Sequence, residues 1–161
     1  MTTQNEIRVS NPTSVEDYDA VKALFREHEK ELSEEICFQN FDVEMQNIQT
    51  IYSLPKGALL LATCQGEVAG VVGMVGVGEG IAEMKRLYVR PKWRSKGIGK
   101  ILCEKIMRTA RDASYSLMRL ETFSRLDGAI ALYLNQGFKI SEESEKSPSR
   151  DKNICVMVAS L

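Results

Sequence analysis

The residues best suited to chemistry lie in the segment 83–99, which reads EMKRLYVRPKWRSKGIG. The pattern there predicts a strand, then a basic loop that contains Gly97 and Gly99, and then the start of a helix. Backbone N–H groups at a helix start have no partner within the helix, so they favour a negatively charged ligand. Ten basic residues and a single acid, Glu104, occupy residues 85–111. Because glycine lets the backbone approach a ligand closely, the segment predicts a phosphate-binding site.

Two familiar glycine motifs are excluded by the residues around this loop. A P-loop needs glycine where Arg94 stands and serine or threonine where Ile101 stands. A dinucleotide-binding fingerprint needs a third glycine at the position of Leu102. For the loop on its own, an ordinary glycine turn before a solvated basic helix stays open as an alternative.

Two separate stretches of the chain resemble the signatures of one family. The run RSKGIG at residues 94–99 resembles the Q/R-x-x-G-x-G/A motif of the GNAT superfamily of N-acetyltransferases. Residues 84–91 look like the fourth strand of that family, and residues 120–122 with 129–138 resemble its second signature. The resemblance implies an α+β fold, a three-layer domain with a central mixed, mainly antiparallel sheet flanked by helices. It also implies that residues 1–161 form a single domain of this type.

The same resemblance implies acetyl-coenzyme A as co-substrate, bound where the fourth strand meets the glycine loop. The residues that it assigns to this site are Leu87, Tyr88, Val89, Arg94, Ser95, Lys96, Gly97, Ile98, Gly99 and Lys100. Backbone N–H groups of the loop would hold the pyrophosphate, and Leu87 with Val89 would pair with the pantetheine arm like a neighbouring strand. The N–H of Val89 would also hold the thioester oxygen as charge develops on it. The chain departs from the family's pattern at Leu126, where many members carry an asparagine that contacts the arm.

Two residues receive catalytic roles from the resemblance. Glu83 matches a position where some members carry a glutamate that takes the proton of the amine, directly or through water. Tyr133 matches the tyrosine that protonates the departing thiolate. The alternatives are a strand carboxylate paired with a neighbouring base for Glu83, and a packed helix tyrosine for Tyr133.

These residues predict acetyl-coenzyme A-dependent transfer of an acetyl group to an amine of a small molecule or a peptide. The amine would attack the thioester directly in a ternary complex, because no cysteine or serine lies beside a candidate base to form an acyl-enzyme. The alternative function is a non-catalytic coenzyme A-binding regulatory module, which keeps the site without turnover.

The N-terminal part of the chain is rich in acidic residues and has one opposing base, Lys30, in the same stretch. The acids are Glu27, Glu29, Glu31, Glu34, Glu35, Asp42 and Glu44. An acidic wall at the acceptor site would favour a cationic amine. A solvated helix face stays open as the plainer interpretation of the same pattern.

The remaining expectations come from composition. A formal net charge of −1 predicts neither nucleic acid nor an anionic membrane as a partner. Four scattered cysteines and one histidine, His28, predict buried reduced thiols and no metal site. No segment has the pattern of a signal peptide or a membrane span, so we expect a cytoplasmic protein. For the oligomeric state, a homodimer is left open.

Hydrophobic periodicity predicts the elements that position these residues. Residues 13–16 read as a capping box before a helix that extends to Leu32, and a second short helix falls within residues 41–51. Three consecutive strands then form an antiparallel meander, and a helix follows the glycine loop. The predicted strands are 7–9, 58–62, 68–77, 82–89, 117–122, 138–140 and 154–159, the later helices are 97–113 and 129–135, and residues 141–153 are a loop.

Overall fold

An apolar run in the middle of the chain, Ala58–Cys64, forms a strand that is buried on both faces. Such a strand requires a layer of helices on each side of its sheet. The computed structural model describes residues 6–32, 41–146 and 153–161. Its elements in chain order are β1 (Ile7–Ser10), α1 (Val15–Leu32), α2 (Phe41–Gln46), α3 (Ile48–Ile51), β2 (Ala58–Cys64), β3 (Glu67–Gly78), β4 (Ile81–Val89), a 3-10 helix (Pro91–Trp93), α4 (Ile98–Asp112), β5 (Leu117–Phe123), α5 (Asp127–Asn135), β6 (Lys139–Ile140), α6 (Glu142–Lys146) and β7 (Ile154–Ser160).

The strands form one seven-stranded mixed sheet in the order β1-β2-β3-β4-β5-β7-β6. Strands β2 to β4 pair antiparallel in sequence, which is the predicted meander, and β1 pairs antiparallel with β2 at its outer edge. The pair β4–β5 is parallel, and β7 returns antiparallel between β5 and β6. The predicted fold, with a central mixed and mainly antiparallel sheet, is confirmed.

Helices cover the two faces of the sheet as separate layers. On one face, Phe25 of α1 and Met45 of α2 pack on Leu59 and Leu61 of β2. On the other face, α4 packs on alternate strand residues such as Leu60 of β2. This alternation follows from the two-residue period of a strand. No helix among the described residues is long and apolar enough to cross a membrane.

Two local predictions are wrong. The capping box is shifted by one residue, because Asp17 N–H donates to Ser14 Oγ and Asp17 Oδ2 accepts from the N–H of Thr13 and Ser14. The predicted loop at residues 141–153 contains the short helix α6. Ser141 Oγ caps the start of this helix by accepting a hydrogen bond from the N–H of Glu143.

The thiols that the structure describes agree with the expectation of buried, reduced cysteines. Cys64, Cys103 and Cys155 are free and buried. Burial raises the pKa of the Cys103 thiol to about 12, so this group stays protonated at neutral pH. Cys37 lies outside the described residues, as do Glu34 and Glu35 of the acidic stretch.

Candidate active site

The site begins where strands β4 and β5 part. Their parallel ladder contains three residue pairs and ends at Glu83 opposite Arg119. Beyond that point β4 stays paired with β3 as far as Val89, and β5 stays paired with β7 as far as Phe123. The two strands therefore diverge and leave a slot in the middle of the sheet.

A β-bulge at Arg86 turns the side chains of β4 toward this slot. Arg86 has a positive φ of 57°, and the β3–β4 register shifts opposite it. Met84 and Leu87 would lie on opposite faces of a regular strand, but both pack against the apolar cluster on the α4 side. The bulge thus places Leu87 and Val89 on the face where α4 begins.

A cavity of about 610 Å³ occupies the slot on the α4 side, and we call it the large cavity. Its wall on one side is β4 with the loop before α4, and on the other side it is α5. Of the residues predicted from the sequence, it is lined by Leu87, Val89, Arg94, Ser95, Gly97, Ile98, Gly99, Lys100 and Tyr133. Five further residues that line it were not predicted from the sequence: Trp93, Leu126, Gly128, Ala129 and Leu132.

The loop before α4 has the geometry of an anion-binding turn. Ser95 and Gly97 have positive φ values of 64° and 85°, and Gly97 is the residue before the first turn of α4. The first intrahelical bond after it runs from Ile101 N–H to Gly97 O, so the earlier N–H groups have no helical partner. A Cβ on Gly97 would meet no atom within 4 Å, so the space at this helix start is open.

Arg94 holds this loop against the rest of the protein. Its Nε donates to Val89 O at 2.9 Å, and its Nη2 donates to Glu31 Oε2 of α1 at 2.7 Å. Its guanidinium also lies 5.6 Å from the centre of the Tyr88 ring. The side chain therefore joins the loop to β4 and α1.

Two predicted residues lie outside the lining of the large cavity. The Tyr88 ring belongs to the apolar cluster on the α1 side, 5.3 Å from the ring of His28. The Lys96 Nζ lies over the ring of Trp93, 5.8 Å from its centre. Roles for these two side chains in holding coenzyme A stay predictions.

Tyr133 lies on α5 at the inner end of the large cavity, with 7% of its surface exposed. Its ring contacts the ring of Phe138 edge-on at 5.7 Å between centres. Burial, with a smaller effect from Cys103, raises the pKa of the Tyr133 phenol. The hydroxyl is therefore protonated at neutral pH, as a proton donor must be.

Glu83 lies at the last position of β4 that pairs with β5, where the slot begins. Its Oε2 accepts a hydrogen bond from Arg119 Nη1 at 2.6 Å, and it lies outside the linings of both cavities of the slot. Arg119 also donates to Glu121 Oε1 at 3.2 Å, and Glu121 does line a cavity of the slot. The structure thus connects Glu83 to the slot through Arg119 and Glu121.

A second cavity, of about 90 Å³, adjoins the large cavity, and we call it the small cavity. It shares four lining residues with the large cavity: Leu87, Leu126, Ala129 and Tyr133. On the α1 side it is lined by His28 and Leu32 of α1 and by Arg86 of β4. His28 falls at the helical spacing of the apolar residues of α1, but nothing in the sequence indicates its position at the slot.

The described residues contain no group of three or more His, Cys, Asp and Glu side chains that could hold a metal ion. What the slot offers is an apolar channel, N–H groups at a helix start, a protonated phenol and an imidazole. These groups suit the binding of a long, partly anionic ligand and proton transfer at its inner end.

Comparison with known proteins assigns the family. The model of the family described as "Acetyltransferase (GNAT) family" matches residues 20–138. An N-acetyltransferase of Schizosaccharomyces pombe is 35% identical over 148 residues, which cover 89% of this chain and 90% of that protein. The chain therefore belongs to the GNAT family of acetyltransferases, and it is an acyltransferase enzyme.

Solved structures agree on the fold. A GNAT-family acetyltransferase of Staphylococcus aureus superposes with a TM-score of 0.80 at 19% identity, covering 97% of this chain and 99% of that one. The PaiA N-acetyltransferase of Thermoplasma acidophilum, solved in complex with coenzyme A, superposes with a TM-score of 0.73 at 17% identity and the same coverage.

Proposed function

We propose that the protein transfers the acetyl group of acetyl-coenzyme A to an amine of a small molecule or a peptide, by direct attack in a ternary complex. The observation that carries the proposal is a pair of adjoining cavities in the slot, the large one lined by the loop before α4 and both of them lined by Tyr133. The proposal treats residues 1–161 as one catalytic domain and includes a cytoplasmic location.

The residues present fit coenzyme A. The open helix start at Gly97 leaves room for phosphate oxygens. At Gly99 the space is narrower, because a Cβ there would contact the side chain of Leu132 at 3.5 Å. The channel between β4 and α5 is walled by apolar side chains such as Leu87 and Ile98, which suits the pantetheine arm. The Thermoplasma neighbour of the same fold holds coenzyme A in its own structure, which supports this assignment.

The chemistry follows from the order of groups along the slot. The amine nitrogen forms a bond to the thioester carbon, and the carbon–sulfur bond breaks as the tetrahedral intermediate collapses. Tyr133 gives its proton to the departing sulfur, and the amine loses a proton toward Glu83, through water and the neighbouring groups of the slot. The N–H of Val89 stabilises the negative oxygen of the intermediate.

The acceptor site is less acidic than the sequence indicates. Glu27, Glu31 and Glu44 form ion pairs with Arg90, Arg94 and Arg86, so their charges are largely neutralised. An acceptor preference based on a negative wall therefore loses its main support. We propose an uncharged or singly charged amine that is small enough to reach the small cavity.

The test is release of coenzyme A thiol from acetyl-coenzyme A with a panel of primary amines, followed by mass spectrometry of the products. We expect thiol release that depends on the amine and a product heavier by one acetyl group. Tight coenzyme A binding without release for any amine would reject the catalytic proposal and favour a regulatory module. Analytical ultracentrifugation of the same sample decides between a monomer and a homodimer.

A further inference from the structure

His28 is a half-buried polar residue for which the mechanism above has no role. It lies on the face of α1 that packs on the sheet, in line with Leu24, Phe25 and Leu32. Its Nδ1 is buried and has no hydrogen-bond partner among the described residues. Buried polar atoms without a partner are rare in native proteins, and each one calls for an explanation.

The surroundings of His28 keep its imidazole neutral. Burial and the positive charges of Arg86 and Arg94 lower its pKa to about 4, against a smaller opposing effect of Glu31. The Tyr88 ring packs against it from β4, with an angle of 30° between the two planes. At neutral pH one ring nitrogen therefore carries a lone pair that can accept a hydrogen bond.

The position of His28 is at the far end of the slot. It lines the small cavity together with Tyr133. Leu87, Leu126 and Ala129 line both this cavity and the large one. Tyr133 lines both cavities, whereas His28 lines only the small one, on the α1 side of the slot. The volume of about 90 Å³ leaves room for a small group.

We propose that His28 binds the acceptor: its Nδ1 accepts a hydrogen bond from the nitrogen of the amine that occupies the small cavity. This inference rests on the proposed function and names the group that receives the amine. It assigns the ring the tautomer with hydrogen on Nε2. His28 is a binding residue here, because a nitrogen held neutral beside Arg86 and Arg94 is a poor base for an ammonium ion.

Because the chain has one histidine, the contact can be observed directly. The experiment is a long-range ¹H–¹⁵N correlation spectrum of the protein labelled with ¹⁵N-histidine and prepared without a histidine tag, in the presence of coenzyme A. Ethylammonium chloride is the probe, and tetramethylammonium chloride at equal concentration is the control, since it has no N–H donor. We expect the Nδ1 resonance to move with ethylammonium alone. A resonance that stays fixed, or that moves equally with both salts, overturns the proposal.

A kinetic arm uses the amine with the highest rate in the panel. We expect His28→Phe, which keeps a ring against Tyr88 but has no acceptor nitrogen, to raise the KM of the amine about 10-fold. The KM of acetyl-coenzyme A should not change, and His28→Gln should restore part of the amine affinity through its amide oxygen. Tyr18→Phe, on the same helix and outside both cavities, is the matched control.

The two proposals can fail separately. An unchanged amine KM in His28→Phe overturns the role of His28 even when the wild-type protein acetylates amines. A wild-type protein that acetylates no amine rejects the proposed function, and the spectrum with ethylammonium still decides whether His28 accepts a hydrogen bond from an amine.

Discussion

Among single residues, Tyr133 offers the most direct test of the mechanism. Phenylalanine keeps the ring and its contact with Phe138, so Tyr133→Phe should fold normally. Because the leaving sulfur then has no proton donor, we predict a fall in kcat of about 10-fold to 10³-fold with little change in the KM of acetyl-coenzyme A. Steady-state kinetics with the best panel amine measures both parameters.

The acidity of the leaving thiol provides the control for Tyr133. Acetyl donors with a more acidic thiol need less help from a proton donor, so the defect of Tyr133→Phe should shrink with them. A variant that keeps kcat but loses affinity for acetyl-coenzyme A would instead assign Tyr133 to packing against the pantetheine arm.

Glu83 is the second residue whose role needs a direct test. In Glu83→Gln the amide oxygen can still accept the hydrogen bond from Arg119, so the change removes proton transfer and keeps the contact. We predict a loss in rate of about 10²-fold at neutral pH that becomes smaller at high pH, where more of the amine is already neutral. Glu67→Gln, in an exposed pair with Lys92, is the control. Equal pH–rate profiles for Glu83→Gln and wild type would leave Glu83 a structural residue.

At the level of elements, the loop before α4 can be tested with a matched pair of glycines. Gly97 and Gly66 have φ values of 85° and 80°, and a Cβ on either meets no atom within 4 Å. Glutamate at each position therefore carries a similar folding penalty. We predict that Gly97→Glu abolishes coenzyme A binding, because its carboxylate repels the phosphates, and that Gly66→Glu in the β2–β3 turn binds normally. Calorimetric titration measures both affinities, and equal binding by the two variants would remove the loop from the site.

The sequence was a good guide to the elements and a poor one to the contacts between them. Apolar periodicity located every predicted strand, and the glycine motif located the start of α4, because both depend on residues close in the chain. The bulge at Arg86 and the ion pair of Glu83 with Arg119 depend on strand register, which local patterns do not specify. His28 is the clearest case, since its helical spacing indicates burial and says nothing about the cavity on the other side.

For the whole molecule, the arginines of β4 and the following loop connect this part of the chain to α1 and α2. Three of them form ion pairs with Glu27 and Glu31 of α1 and with Glu44 of α2. The Arg86–Glu44 pair is the most buried, and Tyr52 donates to the same carboxylate at 2.6 Å. Helices α1 and α2 are therefore attached to the strand that lines the slot.

The free energy of unfolding should depend on pH through the titration of His28. Its pKa is 6.5 in the unfolded chain and about 4 in the folded protein, so the unfolded state takes up the proton first as pH falls. The contribution of His28 to the free energy of unfolding is thus complete above pH 6.5, and about 3 kcal/mol of it is lost as the pH falls to 4. His28→Phe should lack that component, so urea unfolding of both proteins from pH 7.5 to 4 measures it as a difference. Parallel stability curves for the two proteins would contradict the prediction.

The divergence of β4 and β5 also has a consequence for self-association. A strand with unpaired N–H and C=O groups is a template for another chain, and such strands normally lie at the outside of a sheet. Here the open side of β4 lies in the interior of the sheet and faces the large cavity, which the start of α4 and α5 also line. The helices that form the walls of the slot thus also protect the protein from aggregating through its own binding site.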